Sequence, residues 1–511
     1  LADRLLRSDP GQFQPRAAGL RVSRAVQADP APVQKSPGMF GVRVTLGLII
    51  VLTEILFLRY FAALGIEFIL SSALMSIAIL VQLRFGIRQD AATPADLTVF
   101  IFDWLFLDFA PKIQLLYEPQ QLVNTSSVSV GTVATTNLVC AIFILTFTAV
   151  YYFMSVRLPR SAPAVPAEDK PMRPIQSGAI GIAVLACVMV VGLAAPYAYH
   201  HAADPATATT PGALVLSRVL LFLPAATLLI VLNETVRSGR RLKFSRVCVI
   251  GLLLLLVLID ENPYTEKRNA LGPIYMGFLL ICFQRWFAVG GRRLWLLLSG
   301  MAIVFPVISL FTVHDKTQSF SDISMADLLA ELQAHYLSVN YDSWANVYTS
   351  IEIVRTHALQ WGHQVLGSLL FFVPSALWTT KPLATGIFLA NYLISNYSMW
   401  FTNLSAPLVA EGYLDFGYLG VIGYAALLAA SLVRLNKFAA RMDSWSAFPI
   451  GVYYAVFLMI ILRGSLMIAL AFTVAAYVSF RLASAMLSVN IMLVRRRFED
   501  TRSSDDRTLA A

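Results

Sequence analysis

Charge is what this 511-residue sequence has little of: 14% of its residues are charged and 57% are hydrophobic, where soluble domains carry about 25% charged residues. That deficit excludes a soluble globular chain. Cysteine is scarce as well. Cys140, Cys187, Cys248 and Cys282 each sit in or at the edge of an apolar run, which excludes a disulfide framework and makes them small core residues. No H-E-x-x-H and no paired cysteine spacing occurs, so neither a metal nor a cofactor is expected. No repeat of fixed period and no pair of similar halves is found, which argues against transporter folds built from duplicated halves. Residues 1–38 lack an apolar h-region, so no cleavable signal peptide is expected there.

What is present is apolar sequence in runs near the ~20 residues that cross a bilayer core. The fold class expected is all-α: a polytopic membrane protein of about twelve transmembrane helices. The runs fall at 41–58, 63–83, 94–111, 133–156, 177–199, 213–233, 245–260, 271–288, 293–312, 414–433, 446–462 and 465–493. A β-barrel would show short alternating segments instead. With the N-terminus in the cytoplasm, most of the 39 basic residues fall on the inner side, which supports an N-in, C-in topology. The net charge of +9 follows from that asymmetry and implies no nucleic acid. The chain divides into a basic tail (1–38), nine spans (39–312), a large outer loop (313–410), three spans (411–494) and a second tail (495–511).

The outer loop is the anomaly. Mostly polar and aromatic-rich, it holds four of the six histidines (His314, His335, His357, His363). Ser324 with Asp327 three residues on marks a helix start. Trp344, Val347, Tyr348, Ile351 and Val354 then recur at helical spacing, which predicts an amphipathic helix. The apolar pieces 364–378 and 386–394 are too short to span and read as re-entrant or interfacial helices. Together these make a small helical subdomain capping the bundle, one wall of a site.

Arginines on the side that the positive-inside rule depletes usually face a cavity and a partner. Arg268 and Arg463 lie in tight outer turns, Lys381 in the loop and Arg218 within the sixth span. These four could line one outward cavity and hold phosphate, which arginine's planar fork grips bidentately; snorkelling, or pairing with Asp260, Glu261 or Glu411, is the alternative. His357 and His363 flank Trp361 and could take a proton, or could be ordinary surface histidines. Glu411 could act as a base, orient one, hold an arginine, or simply cap a helix.

Several stretches resemble the short patterns of the bacterial O-antigen and capsule repeat-unit polymerases (Wzy type). They are Asn262-Pro with Lys267-Arg268; Tyr341-Asp342-Ser-Trp344; Gly367 to Pro374, Trp378 and Lys381-Pro382; Ser405-x-Pro407 to Glu411-x-Tyr413 and Phe416-Gly417; and Arg463-Gly464. The patterns cover mainly 260–464. Ser375 stands where an arginine often follows the proline, and Ala410 where a glycine usually precedes the glutamate.

The resemblance implies an enzyme of the bacterial inner membrane that joins undecaprenyl-diphosphate-linked oligosaccharides on the periplasmic face, by metal-independent, inverting glycosyl transfer. It implies that Arg268, Arg463, Lys381 and Arg218 hold the diphosphate, that His363, His357 or Glu411 deprotonates the acceptor, and that Arg355, Trp378 and Tyr413 contact sugar. Membrane lipid is a further partner, with a chain-length regulator and a flippase of the same pathway. An O-antigen ligase shares the donor, and a non-enzymatic flippase or transporter of lipid-linked oligosaccharide is a third reading. The first outer loop, a few residues around Arg59, is too short for the acidic motif of metal-dependent membrane glycosyltransferases.

Overall fold

The computed structural model describes residues 37–87, 93–117, 128–156, 175–203, 218–238, 243–262, 268–284, 286–288, 290–304, 325–441 and 447–487. Among them the chain is helical, with no strand. The helices are α1 (Pro37–Phe61), α2 (Ile66–Val81), α3 (Pro94–Trp104), α4 (Ala110–Tyr117), α5 (Val130–Val156), α6 (Ser177–Ala203), α7 (Leu223–Ser238), α8 (Phe244–Asp260) and α9 (Arg268–Cys282). There follow α10 (Gly290–Ser299), α11 (Met325–Tyr336), α12 (Ser343–His357), α13 (His363–Leu369), α14 (Thr385–Tyr397), α15 (Leu408–Arg441), α16 (Ala447–Arg463) and α17 (Leu466–Met486).

Six helical stretches among the described residues are long and apolar enough to cross a membrane: Phe40–Phe61, Ile66–Gly86, Val130–Val156, Arg218–Ser238, Leu408–Lys437 and Leu466–Met486. Three shorter apolar helices, Ser177–Leu193, Leu271–Cys282 and Phe448–Arg463, accompany them. The described residues thus form an all-helical membrane protein. The start of the run expected at 213–233, the ends of the runs expected at 293–312 and 465–493, and the Ser324 cap lie outside the described residues.

The expected third span has an unusual character. A wide π-type turn at Leu105–Phe109 joins α3 to α4 without a break, giving a rod of about 36 Å at 1.5 Å per residue. Thr93 starts it: its Oγ1 accepts from Asp96 N–H at 3.2 Å while Asp96 Oδ2 accepts from Thr93 N–H at 3.1 Å, a reciprocal cap. The rod is buried along nearly all its length, and so are its charged residues Asp96, Asp103, Asp108 and Lys112.

Two large apolar cores fill the described bundle, beside a smaller one around Ile353, Leu389, Leu393 and Leu414. One joins α1 to α5 with α12, α15 and α16; the other joins α6 to α9 with α16 and α17. Helix α16 serves both, turning Val452, Val456 and Met459 to the first core and Tyr453 and Phe457 to the second. Its last residue is Arg463, so this arginine emerges at the seam.

Helix α12 follows its predicted stripe: Trp344, Val347, Tyr348 and Ile351 are buried. Its polar face is buried too, with Ser343, Asn346, Thr349 and Ser350 at 0% exposure. The amphipathic helix expected on a surface is therefore inserted into the bundle against α5 and α15. The apolar piece 364–378 forms only the short α13, after which the chain runs in turns to Ala384.

Helix α15 is broken. Phe416 (φ −141°) and Gly417 (φ +61°) leave the helical region, so 408–415 is a half-helix and 418–441 the span proper. The two arms meet backbone to backbone where Gly412 and Gly420 touch, leaving no room for a Cβ on Gly420. Gly420→Ala is expected to lower stability by about 1–3 kcal/mol through overpacking. Gly423→Ala, with open space around it, should be neutral or slightly stabilising. Thermal unfolding of the two purified variants in detergent, compared side by side, checks the contrast.

Candidate functional site

The site is organised where three irregular backbone segments meet: 339–342 before α12, 404–407 before α15 and 463–465 between α16 and α17. Irregular backbone buried in an apolar bundle must find partners inside the protein. Asp342 supplies several. Its Oδ2 accepts from Ser405 N–H at 3.0 Å and its Oδ1 meets Arg463 Nη2 at 3.3 Å. One turn further on, Asn346 Nδ2 donates to Ser405 O at 2.8 Å and lies 3.1 Å from Ser405 Oγ. Ala406 N–H donates to Arg463 O at 3.1 Å, and Gly464 lies so close to Ala406 O that a Cβ there would collide with it.

Arg463 Nη2 also donates to Val339 O at 3.0 Å, whereas its buried Nε has no hydrogen-bond partner. The side chain lines a cleft with about 50 Å³ of internal space, room for a few waters. The other walls are Phe106, Met301, His335, Asn340 and Tyr341, with Gly272 and Pro273 from the first turns of α9. Arg268 is the first residue of that helix. The elements bearing the two predicted arginines, 195 positions apart, thus converge on one cleft. The side chain of Arg268 lies outside the described positions, as do Lys267, His314 and the side chains of His200 and His201.

Three other predicted residues form a second group. His363 Nε2 is 3.1 Å from Thr380 O, and since a carbonyl only accepts, Nε2 carries the proton there. In the neutral imidazole that leaves Nδ1 with the lone pair. Trp378 packs edge-on to His363 at 6.3 Å and donates from Nε1 to Thr380 Oγ1 at 3.0 Å. Lys381 Nζ donates to Phe371 O at 2.7 Å and Val373 O at 2.8 Å. It closes the turns that follow α13 with two of its three protons, and burial draws its pKa below the ordinary lysine value.

Glu411 is fully buried, and its Oε1 accepts from Leu466 N–H at 2.8 Å while Oε2 has no hydrogen-bond partner. It caps α17 from another helix. Asp415, one turn on, does the same for α13, accepting from Gln364 N–H and Val365 N–H at 3.1 and 3.0 Å. The half-helix 408–415 therefore pins two helix N-termini, the capping alternative for Glu411 made concrete. Arg355 is tied by Nη1 and Nη2 to Thr132 Oγ1 and Thr135 Oγ1 at 2.7 and 3.0 Å. His357 Nδ1 lies 2.7 Å from Thr356 Oγ1. Tyr413 is buried against Tyr418, and Arg218 stacks over Phe472 of α17 at 5.5 Å. These predicted residues are spread around the bundle and do not share the Arg463 cleft.

Asp342 belongs to the Tyr341-Asp342-Ser-Trp344 pattern without a site role of its own, and Asn346 and His335 are not among the predicted site residues. The signal for the first two was a polar pair four apart, Asp342 and Asn346, at the head of an otherwise apolar helix stripe. His335 carried no signal beyond its residue type. No protein-family model matches this chain, and neither does any curated protein or solved structure. The fold and cleft define the class without one: a helical membrane protein with an arginine-ended seam.

A double-mutant cycle tests the crossing. Asp342→Asn and Arg463→Met should each cost about 1.5–3 kcal/mol, with a coupling of roughly 0.5–3 kcal/mol between them; strictly additive losses would mean that the pair contributes nothing. On the same helix burial raises the Glu352 carboxyl pKa, opposed by hydrogen bonds from Tyr397 and Tyr348 and by the Arg355 charge. A raised carboxyl contributes stability that is full below its ordinary range of about 4.3 and is lost as pH rises through the folded value. Glu352→Gln should therefore flatten the stability–pH curve in that window, as read by denaturation midpoints across a pH series.

Proposed function

We propose that this protein polymerises undecaprenyl-diphosphate-linked oligosaccharide repeat units on the periplasmic face of a bacterial inner membrane. On this reading the chain crosses about twelve times with both termini inside, and the 313–410 segment is periplasmic. The observation that carries the proposal is the Arg463 cleft: a half-satisfied guanidinium at the end of the seam helix, faced by the helix that Arg268 begins. A hydroxyl of one lipid-linked repeat attacks C1 of the growing chain's reducing sugar, inverting it and expelling undecaprenyl diphosphate. Negative charge grows on the departing oxygen, and Arg463 with Arg268 lowers the barrier by meeting it there.

The remaining roles divide by what each side chain has free. His363 is the strongest of the three base candidates, because its Nδ1 is the open acceptor once Nε2–H is spent on Thr380 O. Glu411, buried and bonded to Leu466 N–H, positions the half-helix against α17. Lys381 holds the 371–373 turns and has one proton left for a phosphate oxygen. Trp378, beside His363 and partly exposed, offers a ring face for sugar, with Tyr413 and Arg355 further off. Membrane lipid surrounds the donor's prenyl chain, and a chain-length regulator and a flippase act before or beside the enzyme.

A chromosomal deletion complemented with variants tests the reading. Loss of the protein should leave single repeats on the final acceptor, and Arg463→Ala should cut long-chain polymer by about a hundredfold or more, the scale of losing one transition-state donor. Polymer accumulating on carrier lipid would instead make the protein a ligase. Repeats trapped inside the cell would make it a flippase, and unaltered polymer in Arg463→Ala would remove the cleft from the mechanism.

A further inference from the structure

The α3–α4 rod carries a cluster that the arginine cleft does not use. Lys112 Nζ meets Glu54 Oε2 of α1 at 2.7 Å, Asp108 Oδ1 at 2.6 Å and Ser76 Oγ of α2 at 2.8 Å. Ser76 in turn donates to Glu54 Oε2 at 2.9 Å. The contact to Ser76 is a hydrogen bond, and the two carboxylates meet the ammonium as close ion pairs. The side chains of Lys112, Glu54 and Asp108 are 9%, 10% and 1% exposed. Two carboxylates thus face one ammonium, a surplus of one negative charge in a site with almost no water. An uncompensated charge there costs several kcal/mol, and binding a proton removes it.

The groups facing the cluster from the packed elements do not supply the missing charge. Lys112 and Glu54 are the charged neighbours that act on Asp108. Asp103, on the same rod, is held by Gln82 Nε2 of α2 at 2.6 Å, and Cys140 of α5 lies within electrostatic reach of both aspartates. Asp108 Oδ2 has no hydrogen-bond partner. Beside it lies a water-sized cavity of about 10 Å³, lined by Asp108, Lys112, Ser72, Asn137 and Trp344 among others. Ser72, 1% exposed, presents an unpartnered Oγ to it. Trp344 Nε1 donates to Asn137 Oδ1 at 3.0 Å along the wall.

We propose that this cluster is a proton-binding site in which Asp108 holds one exchangeable proton at neutral pH, loaded from the α12 side through the cavity that Trp344 lines. The proton adds to the Asp108 carboxylate to give the acid, which can donate to a cavity water or to Ser72 Oγ, and it leaves by the same water. The site ligand is thus H⁺, and the neutral state of the cluster is Glu54 carboxylate, Lys112 ammonium and Asp108 acid. Neutralising either carboxylate balances Lys112 and so abolishes the need for the proton.

Infrared difference spectroscopy of the full chain in lipid nanodiscs tests this. At neutral pH the wild type should show a carboxylic-acid C=O band that shifts in D2O, and one protonated carboxyl should be missing from Asp108→Asn and from Glu54→Gln alike. Glu54→Gln lies on a different helix, so it carries the test even where Asp108→Asn does not fold. A separate Asp103→Asn spectrum identifies any band belonging to Asp103. A wild type with no acid band, or a band undiminished in Glu54→Gln, would overturn the proposal.

Discussion

The carboxylate of Asp342 is the point on which three non-helical crossings depend. It takes the amide of Ser405 with one oxygen and the guanidinium of Arg463 with the other. That tie holds the 404–407 and 463–465 segments against the head of α12. Without it, Ser405 N–H and the arginine would lose a buried partner together, each at the expense of an unsatisfied polar group. The position of Arg463 in the cleft is a consequence of satisfying backbone.

The same constraint explains why charged residues populate a region where charge is costly. Glu411 and Asp415 each take the N-terminal amides of another helix, and Lys381 closes two carbonyls after α13. Short helices and turns in place of a full span leave orphan donors and acceptors, and ionised side chains make the strongest partners for them. Arg463 likewise spends Nη2 on Val339 O and Asp342 Oδ1 but keeps a buried Nε with no hydrogen-bond partner. The Glu54–Lys112–Asp108 cluster stands apart: two carboxylates meet one ammonium, and Asp108 keeps an oxygen with no hydrogen-bond partner.

Much of the helical framework was legible from hydropathy alone, since a run of apolar residues leaves few alternatives to a helix. The α12 stripe was legible from its spacing. Its burial on the polar side was not, because Asn346 is satisfied by Ser405, 59 positions away. The run at 364–378 reads as one apolar helix, yet Pro374 and Pro382 with the Lys381 clamp resolve it into turns. The break at Phe416–Gly417 was visible as a glycine-rich stretch but not as a fold-back, which needs the Gly412–Gly420 contact. The pairing of Lys112 with Glu54 across 58 positions has no local signature. Convergence of Arg463 with the α9 start was proposed from residue type and side of the membrane. The scatter of Arg355, Arg218 and Tyr413 could not be read that way.

On the proposed function, the seam cleft at Arg463 receives a diphosphate. The most direct measurement is the binding of a short-chain prenyl diphosphate to the purified full-length protein by titration calorimetry, with Arg463→Ala and a prenyl alcohol as comparisons. Saturable binding of the diphosphate is expected, falling at least about tenfold in the variant, roughly 1.4 kcal/mol, with no such change for the alcohol. Equal affinity of wild type and variant for the diphosphate would contradict it.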